Sequence, residues 1–346
     1  MNTRLNAALL AVAALLPASM PAQTFSVVSK FDIGGMGRFD YIAVDANGRV
    51  YVSRSTHVMV VDGATGKVVG DIMDTPGVHG AAFSEKSHHG FTTNGGDSTV
   101  TMFDLKTLAV ITKIQTHTRG LDGIAYDDAT DRIFSIDHGS PGTMVAIDAA
   151  KGTVVGTVTL DGNAPEGGVS DGKGRMFVNI EDKNEIQVVD TRTLTAITTW
   201  ALPNCDGPGG IGFDRSSQRI FSACGSAVTV VTDATSGKNV AQFPIGGRPD
   251  ALGFDPSQKL IYVPGGAAPG TVTVAHEDSP DKYTVIATVN TMVGARTIAV
   301  DATRHRAYTF TPENGPAPAN ATPPAGGRGR GAQGPQIAAW LFVIGH

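Results

Sequence analysis

Charged side chains recur at one position of a short apolar phrase, and they are the residues of this chain best suited to chemistry. The phrase has seven residues, as in FDYIAVD at 39–45, and seven variants of it occur. Its second position holds Asp40, His79, Asp122, Glu166, Gly209, Asp250 and Arg296. Carboxylates and imidazoles that converge can bind a borderline or hard divalent cation, and a carboxylate can also serve as a general base.

The spacing of the phrase predicts the elements that position these residues. Successive copies are separated by 39, 43, 44, 43, 41 and 46 residues, enough for four strands of about five or six residues with their turns. Further apolar runs follow each copy, as RVYVS, HVMVVD and KVVGDI do in the first unit. The repeat predicts an all-β fold, a seven-bladed β-propeller of four-stranded antiparallel blades.

The seventh unit predicts how the ring closes. It contains three strands, TIAVD, RAYTF and IAAWLFVIG, before the chain ends at residue 346. The segment TFSVVSKFDIGG at 24–35 matches the missing fourth strand. We therefore expect the N-terminal strand to close the last blade, which removes an exposed sheet edge.

Two stretches of the repeat resemble a known family. RVYVSRSTHVMVVDGATGKVVGDI and GFTTNGGDSTVTMFDLKTLAVITKI are similar to repeats of the YVTN-repeat, or YncE-like, family of secreted seven-bladed propellers. The resemblance covers 24–311 and 336–346. It implies relatives that bind unidentified ligands, one reported to bind single-stranded DNA, and surface-layer-associated proteins. Similar propellers include the haem d1 domain of nitrite reductase, lactonases and streptogramin lyases, and fold likeness does not choose among them.

Residues 1–22 have the pattern of an export signal. Arg4 precedes an apolar core at 7–16, and small or turn-forming residues lead to a cleavage point expected after Ala22. The core is too short to span a bilayer. We expect a periplasmic or extracellular protein with no transmembrane segment, whose residues 23–346 form a single, monomeric propeller domain.

The segment 312–335 departs from the repeat. Six Pro and six Gly in its 24 residues predict a disordered insertion in the last blade, between its second and third strands. The insertion is either tolerated without a role or a flap over the channel mouth.

The variable position of the phrase predicts a ring at one mouth of the channel, because the first strand of each blade lines the channel. The connections between second and third strands reach the same face and add Arg54 and His138. As metal ligands we expect His79, Asp122, Glu166 and His138, with Asp40 or Asp250 as a base or a further ligand. The predicted ligand-binding residues are Asp40, His79, Asp122, Glu166, Asp250, Arg296, Arg54 and His138. The alternative is that these side chains end turns and contact water.

The two cysteines are predicted to lie close together. Cys205 precedes the fifth phrase and Cys224 ends the second strand of the same blade, so their positions are antiparallel neighbours. An even cysteine count in an exported chain favours a disulfide. A thiolate metal site or a redox pair is the alternative.

Several functions are excluded or disfavoured. A C-x-x-C-H motif is absent, which excludes covalent haem, and no G-x-S-x-G, H-E-x-x-H or P-loop motif occurs. The net charge of −5, without a long basic run, disfavours nucleic-acid binding through bulk charge, although such binding is reported for the resembling family. His88, His89, His276 and His305 are predicted on the opposite face, as solvated surface residues.

Two functional hypotheses follow. The first is a secreted binding or scaffold protein that uses the channel-mouth face for a small ligand, a peptide or an envelope component. The second is a metal-dependent hydrolase or lyase, lactonase-like, with a divalent cation in the carboxylate and histidine site. The sequence does not decide whether the protein is an enzyme.

Overall fold

The computed structural model describes residues 24–318 and 334–346, and it confirms the predicted β-propeller. These residues form seven four-stranded antiparallel sheets. Strand β1 (Ser26–Asp32) belongs to the last blade. The first blade contains β2 (Ile42–Val44), β3 (Arg49–Ser53), β4 (Val58–Asp62) and β5 (Val68–Ile72). The second contains β6 (Val78–Ser84), β7 (His89–Asn94), β8 (Thr99–Asp104) and β9 (Val110–Gln115).

The third to sixth blades repeat the same meander. The third contains β10 (Leu121–Asp127), β11 (Arg132–Asp137), β12 (Thr143–Asp148) and β13 (Thr153–Thr159). The fourth contains β14 (Pro165–Ser170), β15 (Arg175–Ile180), β16 (Glu185–Asp190) and β17 (Thr195–Ala201). The fifth contains β18 (Pro208–Asp214), β19 (Arg219–Cys224), β20 (Val228–Asp233) and β21 (Asn239–Pro244). The sixth contains β22 (Gly253–Asp255), β23 (Leu260–Gly265), β24 (Thr271–Ser279) and β25 (Lys282–Asn290).

The seventh blade closes the ring as the sequence predicts. It contains β26 (Ile298–Asp301), β27 (Arg306–Asn314) and β28 (Gln336–Gly345). Strand β1 completes this sheet in the order β1-β28-β27-β26 and pairs antiparallel with β28, from Ser26 opposite Gly345 to Asp32 opposite Trp340. The N-terminal strand therefore covers the edge that β28 would otherwise expose.

The last blade also corrects the predicted insertion. Strand β27 continues to Asn314, with Pro312 opposite Ala339 and Glu313 opposite Ala338, so a start at 312 is wrong. Pro312 is tolerated because β26 pairs with β27 only as far as Thr309, which leaves one side of the longer strand without a partner. Residues 319–333 of the predicted insertion lie outside the described residues, as does the predicted signal peptide at 1–22.

The backbone pairing is interrupted where the ring residues lie. In the second to fifth blades the register of the innermost strand shifts beside the ring position, between Leu121 and Gly123 in the third blade, for example. In the first, sixth and seventh blades the innermost strand begins only after that position. A break in the ladder lets a side chain leave the regular alternation and point elsewhere. Each ring residue therefore lies at an irregular point of its blade.

The aspartate that closes the phrase has a structural role. Asp45 is buried, and its Oδ1 accepts the backbone N–H groups of Asn47 and Arg49, both at 3.0 Å. Asp171 accepts the corresponding groups of Lys173 and Arg175 at 2.7 and 3.0 Å. A carboxylate that caps the turn between the first two strands is already satisfied. Of the two acidic positions in the phrase, only the leading one is left for a ligand.

Two further features bear on the expectations from sequence. Cys205 and Cys224 form the predicted disulfide, with their Cα atoms 5.3 Å apart. Within 24–318 and 334–346, the single helix is the 3-10 turn Glu181–Lys183, and no helix there could cross a membrane.

Candidate metal-binding site at the channel mouth

The leading residues of the phrase form a chain of charged contacts around the mouth. Arg296 is central, since its Nε lies 3.1 Å from Asp250 Oδ2 and its Nη2 lies 2.8 Å from Asp40 Oδ1. The other oxygen of Asp40, Oδ2, lies 2.6 Å from His79 Nδ1. These side chains therefore join four consecutive blades of the ring, from the sixth through the seventh and first to the second.

The chain of contacts continues through Asp122 to the fourth blade. His79 Nδ1 lies 3.1 Å from Asp122 Oδ1. His138, which directly follows β11, places its Nε2 3.3 Å from Asp122 Oδ2 and 3.4 Å from Glu166 Oε1. Gly209 contributes no side chain, so the contacts end between the fourth and sixth blades.

Tyr41 is a member of this site that the sequence reading missed. Its hydroxyl donates to Glu166 Oε2 at 3.1 Å, from the first blade to the fourth. A signal was present, because the residue after the ring position is Gly, Ala or Thr in the other six copies. One large side chain among six small ones fills space that the other blades leave open.

Hydroxyl groups of the second strands and of the neighbouring phrase hold the ring backbone. Ser53 Oγ accepts from the Asp40 N–H at 2.9 Å and donates to the Tyr41 carbonyl at 3.0 Å. Thr93 Oγ1 donates to the Asp122 carbonyl at 2.6 Å, and Thr297 Oγ1 donates to the Asp40 carbonyl at 2.9 Å. The Ser53 bonds hold the phrase within the first blade, whereas those of Thr93 and Thr297 join adjacent blades. Together they give the ring residues a rigid support.

Two sets of three ligand atoms meet the spacing that a metal ion needs. Asp40, His79 and Asp122 form one set, and Asp122, His138 and Glu166 form the other. Within each set the atoms lie within 4.8 Å of one another, close to twice a metal–ligand bond of about 2.1 Å. All four residues predicted as metal ligands are brought together, and Asp40 joins them. Asp250 pairs with Arg296 instead.

The neighbouring carboxylates raise the pKa of both imidazoles, those of His79 and His138. Burial alone would lower the pKa of His79, but the close contacts with the Asp122 and Asp40 carboxylates outweigh it and raise this pKa to about 10. The Glu166 carboxylate raises the pKa of His138 against the opposing effect of burial. Without a metal ion, the protonated His79 imidazole supplies positive charge beside Asp40 and Asp122.

Tyr41 stays protonated. Burial, followed by the negative charge of Asp122 and Glu166, raises the pKa of Tyr41 well above its ordinary value. Its hydroxyl is therefore a hydrogen-bond donor at any physiological pH.

The pKa of Asp250 is raised mainly by burial. Burial raises its pKa to about 7, and the charge of Asp40 adds to this effect, although Arg296 opposes it. A carboxyl group with this pKa can accept or release a proton near neutral pH.

Two buried atoms of the candidate ligand sets lack a hydrogen bond of good geometry. Among the described residues, Asp122 Oδ1 and His138 Nε2 are inaccessible to solvent and make no hydrogen bond of good geometry. For Asp122 the reason is that the nearby His79 nitrogen is directed at Asp40. Such atoms carry a desolvation cost of about 1–3 kcal/mol each, which a bound cation would offset. The donor set of imidazole nitrogen and carboxylate oxygen fits Zn²⁺ or Mn²⁺.

A cavity of about 140 Å³ lies next to the ring, inside the channel. Tyr41 and Asp250 line it, together with residues that follow the ring positions on the innermost strands, such as Gly80, Gly123 and Gly210. Because Asp250 is both a ring residue and part of the cavity wall, a small molecule in the cavity could reach the ring residues.

Arg54 does not join the ring, contrary to the sequence prediction. It is completely buried, and its Nη2 donates to the Gly35 carbonyl at 2.8 Å and to Gln336 Oε1 at 3.1 Å. Its guanidinium also lies over the ring of Phe310, 5.0 Å from the centroid. The side chain follows β3 directly and turns toward the seventh blade, where it packs between blades instead of entering the channel.

No protein-family model matches the sequence, and no curated protein matches it in sequence. Solved structures are similar in fold. A chain of the mitotic checkpoint complex aligns with a TM-score of 0.73 at 14% identity, covering 89% of this chain and 96% of that one. The RRP9 WD40 repeats align with a TM-score of 0.75 at 8% identity, covering 94% of this chain and 99% of that one. Hydrazine synthase of Kuenenia stuttgartiensis aligns with a TM-score of 0.68 at 13% identity, covering 80% of this chain and 93% of that one.

Identities this low show the fold alone. The chain is a seven-bladed β-propeller with WD40-like structural neighbours.

Proposed function

We propose that the protein is an exported binding protein of the YVTN-repeat type, which uses a divalent cation at the channel mouth to hold a small oxygen-bearing ligand. The observation that carries the proposal is the convergence of His79, His138 and three carboxylates on two overlapping sets of ligand atoms. An open coordination position on such an ion can accept a carboxylate, phosphate or carbonyl oxygen.

Two other features support this proposal. The cavity beside the ring provides room for a small ligand, and the disulfide between Cys205 and Cys224 is compatible with export to an oxidising compartment. A propeller is a common scaffold for binding, because its loops surround one channel mouth.

Metal analysis of the purified protein, followed by calorimetric titration with Mn²⁺ or Zn²⁺, tests the proposal. We expect binding that is lost or at least tenfold weaker in His79→Ala and in Glu166→Gln. His88→Asn is the matched control, because His88 is exposed and asparagine tolerates its left-handed backbone (φ 58°). Wild-type protein that binds no divalent ion, or ring variants that bind like the control, would contradict the proposal.

A metal-dependent hydrolase or lyase acting on a lactone or related ester is the second candidate. It is favoured by Asp250, whose carboxyl group lines the cavity and has a pKa raised to about 7. In this case Asp250 would act as the general base, and a divalent ion held by the ring histidines and carboxylates would supply a Lewis acid for the carbonyl. Asp250→Asn is then expected to keep the metal and lose turnover of a lactone panel. If metal-loaded wild-type protein leaves such a panel intact, the binding function alone stands.

A further inference from the structure

We infer that the channel mouth binds two divalent cations, with the Asp122 carboxylate bridging them and an oxyanion as the ligand they share. The inference rests on the proposed metal-binding function and goes further, since it assigns each ion its own ligands. One ion would take Asp40, His79 and Asp122, and the other would take Asp122, His138 and Glu166.

The orientation of Asp122 is the first argument. Its two oxygens face different imidazoles, Oδ1 toward His79 Nδ1 at 3.1 Å and Oδ2 toward His138 Nε2 at 3.3 Å. A carboxylate serving a single ion would direct both oxygens, or one of them, to one ligand set. Here each oxygen belongs to a separate set, as in a bridging carboxylate.

The outer carboxylates are arranged in the same way on the two sides. Asp40 has one oxygen bound by Arg296 Nη2 at 2.8 Å, and its other oxygen faces His79. Glu166 has one oxygen bound by the Tyr41 hydroxyl at 3.1 Å, and its other oxygen faces His138. Each terminal carboxylate is thus oriented by a donor outside the ligand set, with one oxygen left for an ion.

The two buried atoms that lack a hydrogen bond are distributed over both sets. Asp122 Oδ1 belongs to the set with His79, and His138 Nε2 belongs to the other. Both are buried without a hydrogen bond among the described residues, so a single ion would relieve one set and leave an unsatisfied atom in the other.

The charge balance indicates the ligand class. The three ligand carboxylates carry −3 and the imidazoles are neutral when they bind metal. Arg296 is balanced by Asp250 when that carboxyl group is ionised, which gives the most negative case. One divalent ion leaves −1, which repels an anion. Two leave +1, which attracts one. The shared ligand is therefore an oxyanion, such as a phosphate or a carboxylate, whose oxygens span the pair of ions from the adjacent cavity.

The test is metal stoichiometry in the full chain, measured by elemental analysis after Mn²⁺ loading. We expect two ions per wild-type chain and per His88→Asn chain, and one ion per chain in His79→Ala and in His138→Ala. Circular dichroism and thermal melts establish that each variant is folded. One ion per wild-type chain would overturn the two-ion inference and leave the proposed function intact, whereas no bound ion would overturn both.

Electron paramagnetic resonance of the Mn²⁺-loaded protein tests the bridge. Spin coupling between two ions is expected in the wild type and is expected to disappear in His79→Ala. Two bound ions that give only uncoupled signals would exclude Asp122 as a bridge.

Inorganic phosphate is the probe for the oxyanion. We expect it to bind the two-ion protein at least tenfold more tightly than the metal-free protein or either one-ion variant. Equal binding by all of these would overturn the assignment of the ligand class.

Discussion

The hydroxyl of Tyr41 in the first blade donates to Glu166 Oε2 in the fourth blade at 3.1 Å. The two residues are 125 positions apart, and their blades do not adjoin in the ring. This bond fixes the rotation of the Glu166 carboxylate and directs its second oxygen to His138 Nε2 at 3.4 Å. A tyrosine with no charge of its own thereby orients one side of the candidate metal site.

Replacing Tyr41 by phenylalanine is expected to weaken metal binding at the His138 set by about tenfold, because loss of a group that orients a ligand typically costs 10–100-fold in affinity. Binding at the His79 set should remain, since Arg296 orients Asp40 there. Two-site calorimetric titration measures both affinities. Tyr126→Phe is the matched control, because its hydroxyl bonds Asp131, outside the ligand sets. An equal loss at both sets would contradict the assigned role.

Gly123 is expected to tolerate no side chain. A Cβ at this position would lie 2.6 Å from the Glu166 carbonyl oxygen on the neighbouring innermost strand. Gly123→Ala should lower the free energy of unfolding by about 1–3 kcal/mol through overpacking, and it should also displace Glu166. Urea unfolding measures the first effect and metal titration the second.

Gly247→Ala is the control for Gly123→Ala. A Cβ at Gly247 would meet only the Ala267 Cβ, at an ordinary distance of 3.5 Å. Similar stability of the two variants would contradict the prediction, because it would show that the innermost strands move apart to accommodate the added methyl group.

The disulfide is expected to stabilise the fifth blade. Cys205 and Cys224 are 19 positions apart, and closing a loop of this length restricts the unfolded chain by about 3 kcal/mol. The double variant Cys205→Ala and Cys224→Ala should therefore unfold at a lower urea concentration, with a free energy of unfolding reduced by about 3 kcal/mol. Wild-type protein treated with a reductant should lose a similar amount. Metal binding should persist in both, and unchanged stability would contradict the prediction.

Asp214 is expected to contribute to stability in a pH-dependent manner. Burial would raise its pKa, but donation from Lys259 and Ser216 outweighs burial and holds the pKa well below its ordinary range. A depressed pKa in the folded state contributes stability that is present above the unfolded value of about 4 and is lost as the pH falls further.

Asp214→Asn tests this dependence. The variant should be about 1–3 kcal/mol less stable at pH 6 and should lose less additional stability than the wild type below about pH 4. Urea unfolding across this range measures both. Asp74→Asn is the control, because the Asp74 side chain is 79% exposed. A parallel acid dependence in wild type and Asp214→Asn would show that another group is responsible.

The limits of prediction from the sequence are visible at Arg54 and Tyr41. Arg54 is a charged residue in a connection between second and third strands, as the predicted ring required. Its side chain nevertheless turns between blades and donates to the Gly35 carbonyl and to Gln336. Tyr41 lies in an apolar phrase and is not among the predicted site residues, yet its hydroxyl reaches Glu166 of the ligand set. Side-chain direction at the end of a strand depends on the packing of neighbouring blades, which a repeat pattern does not contain.

The sequence by itself determined the number of blades, the closure by the N-terminal strand and the location of the ring. In six blades, strands adjacent in the chain are adjacent in the sheet, so each repeat unit is a local pattern. The closure could be predicted because the seventh unit lacks one strand and the N-terminal segment matches it. Tertiary structure alone decided which ring residues touch. The ligands Asp40, His79 and Asp122 come from different blades, 39 and 43 residues apart, and no spacing along the chain encodes their contact. The circular arrangement of the blades, with breaks in pairing at the ring positions, brings them within 4.8 Å and places Asp122 between two histidines.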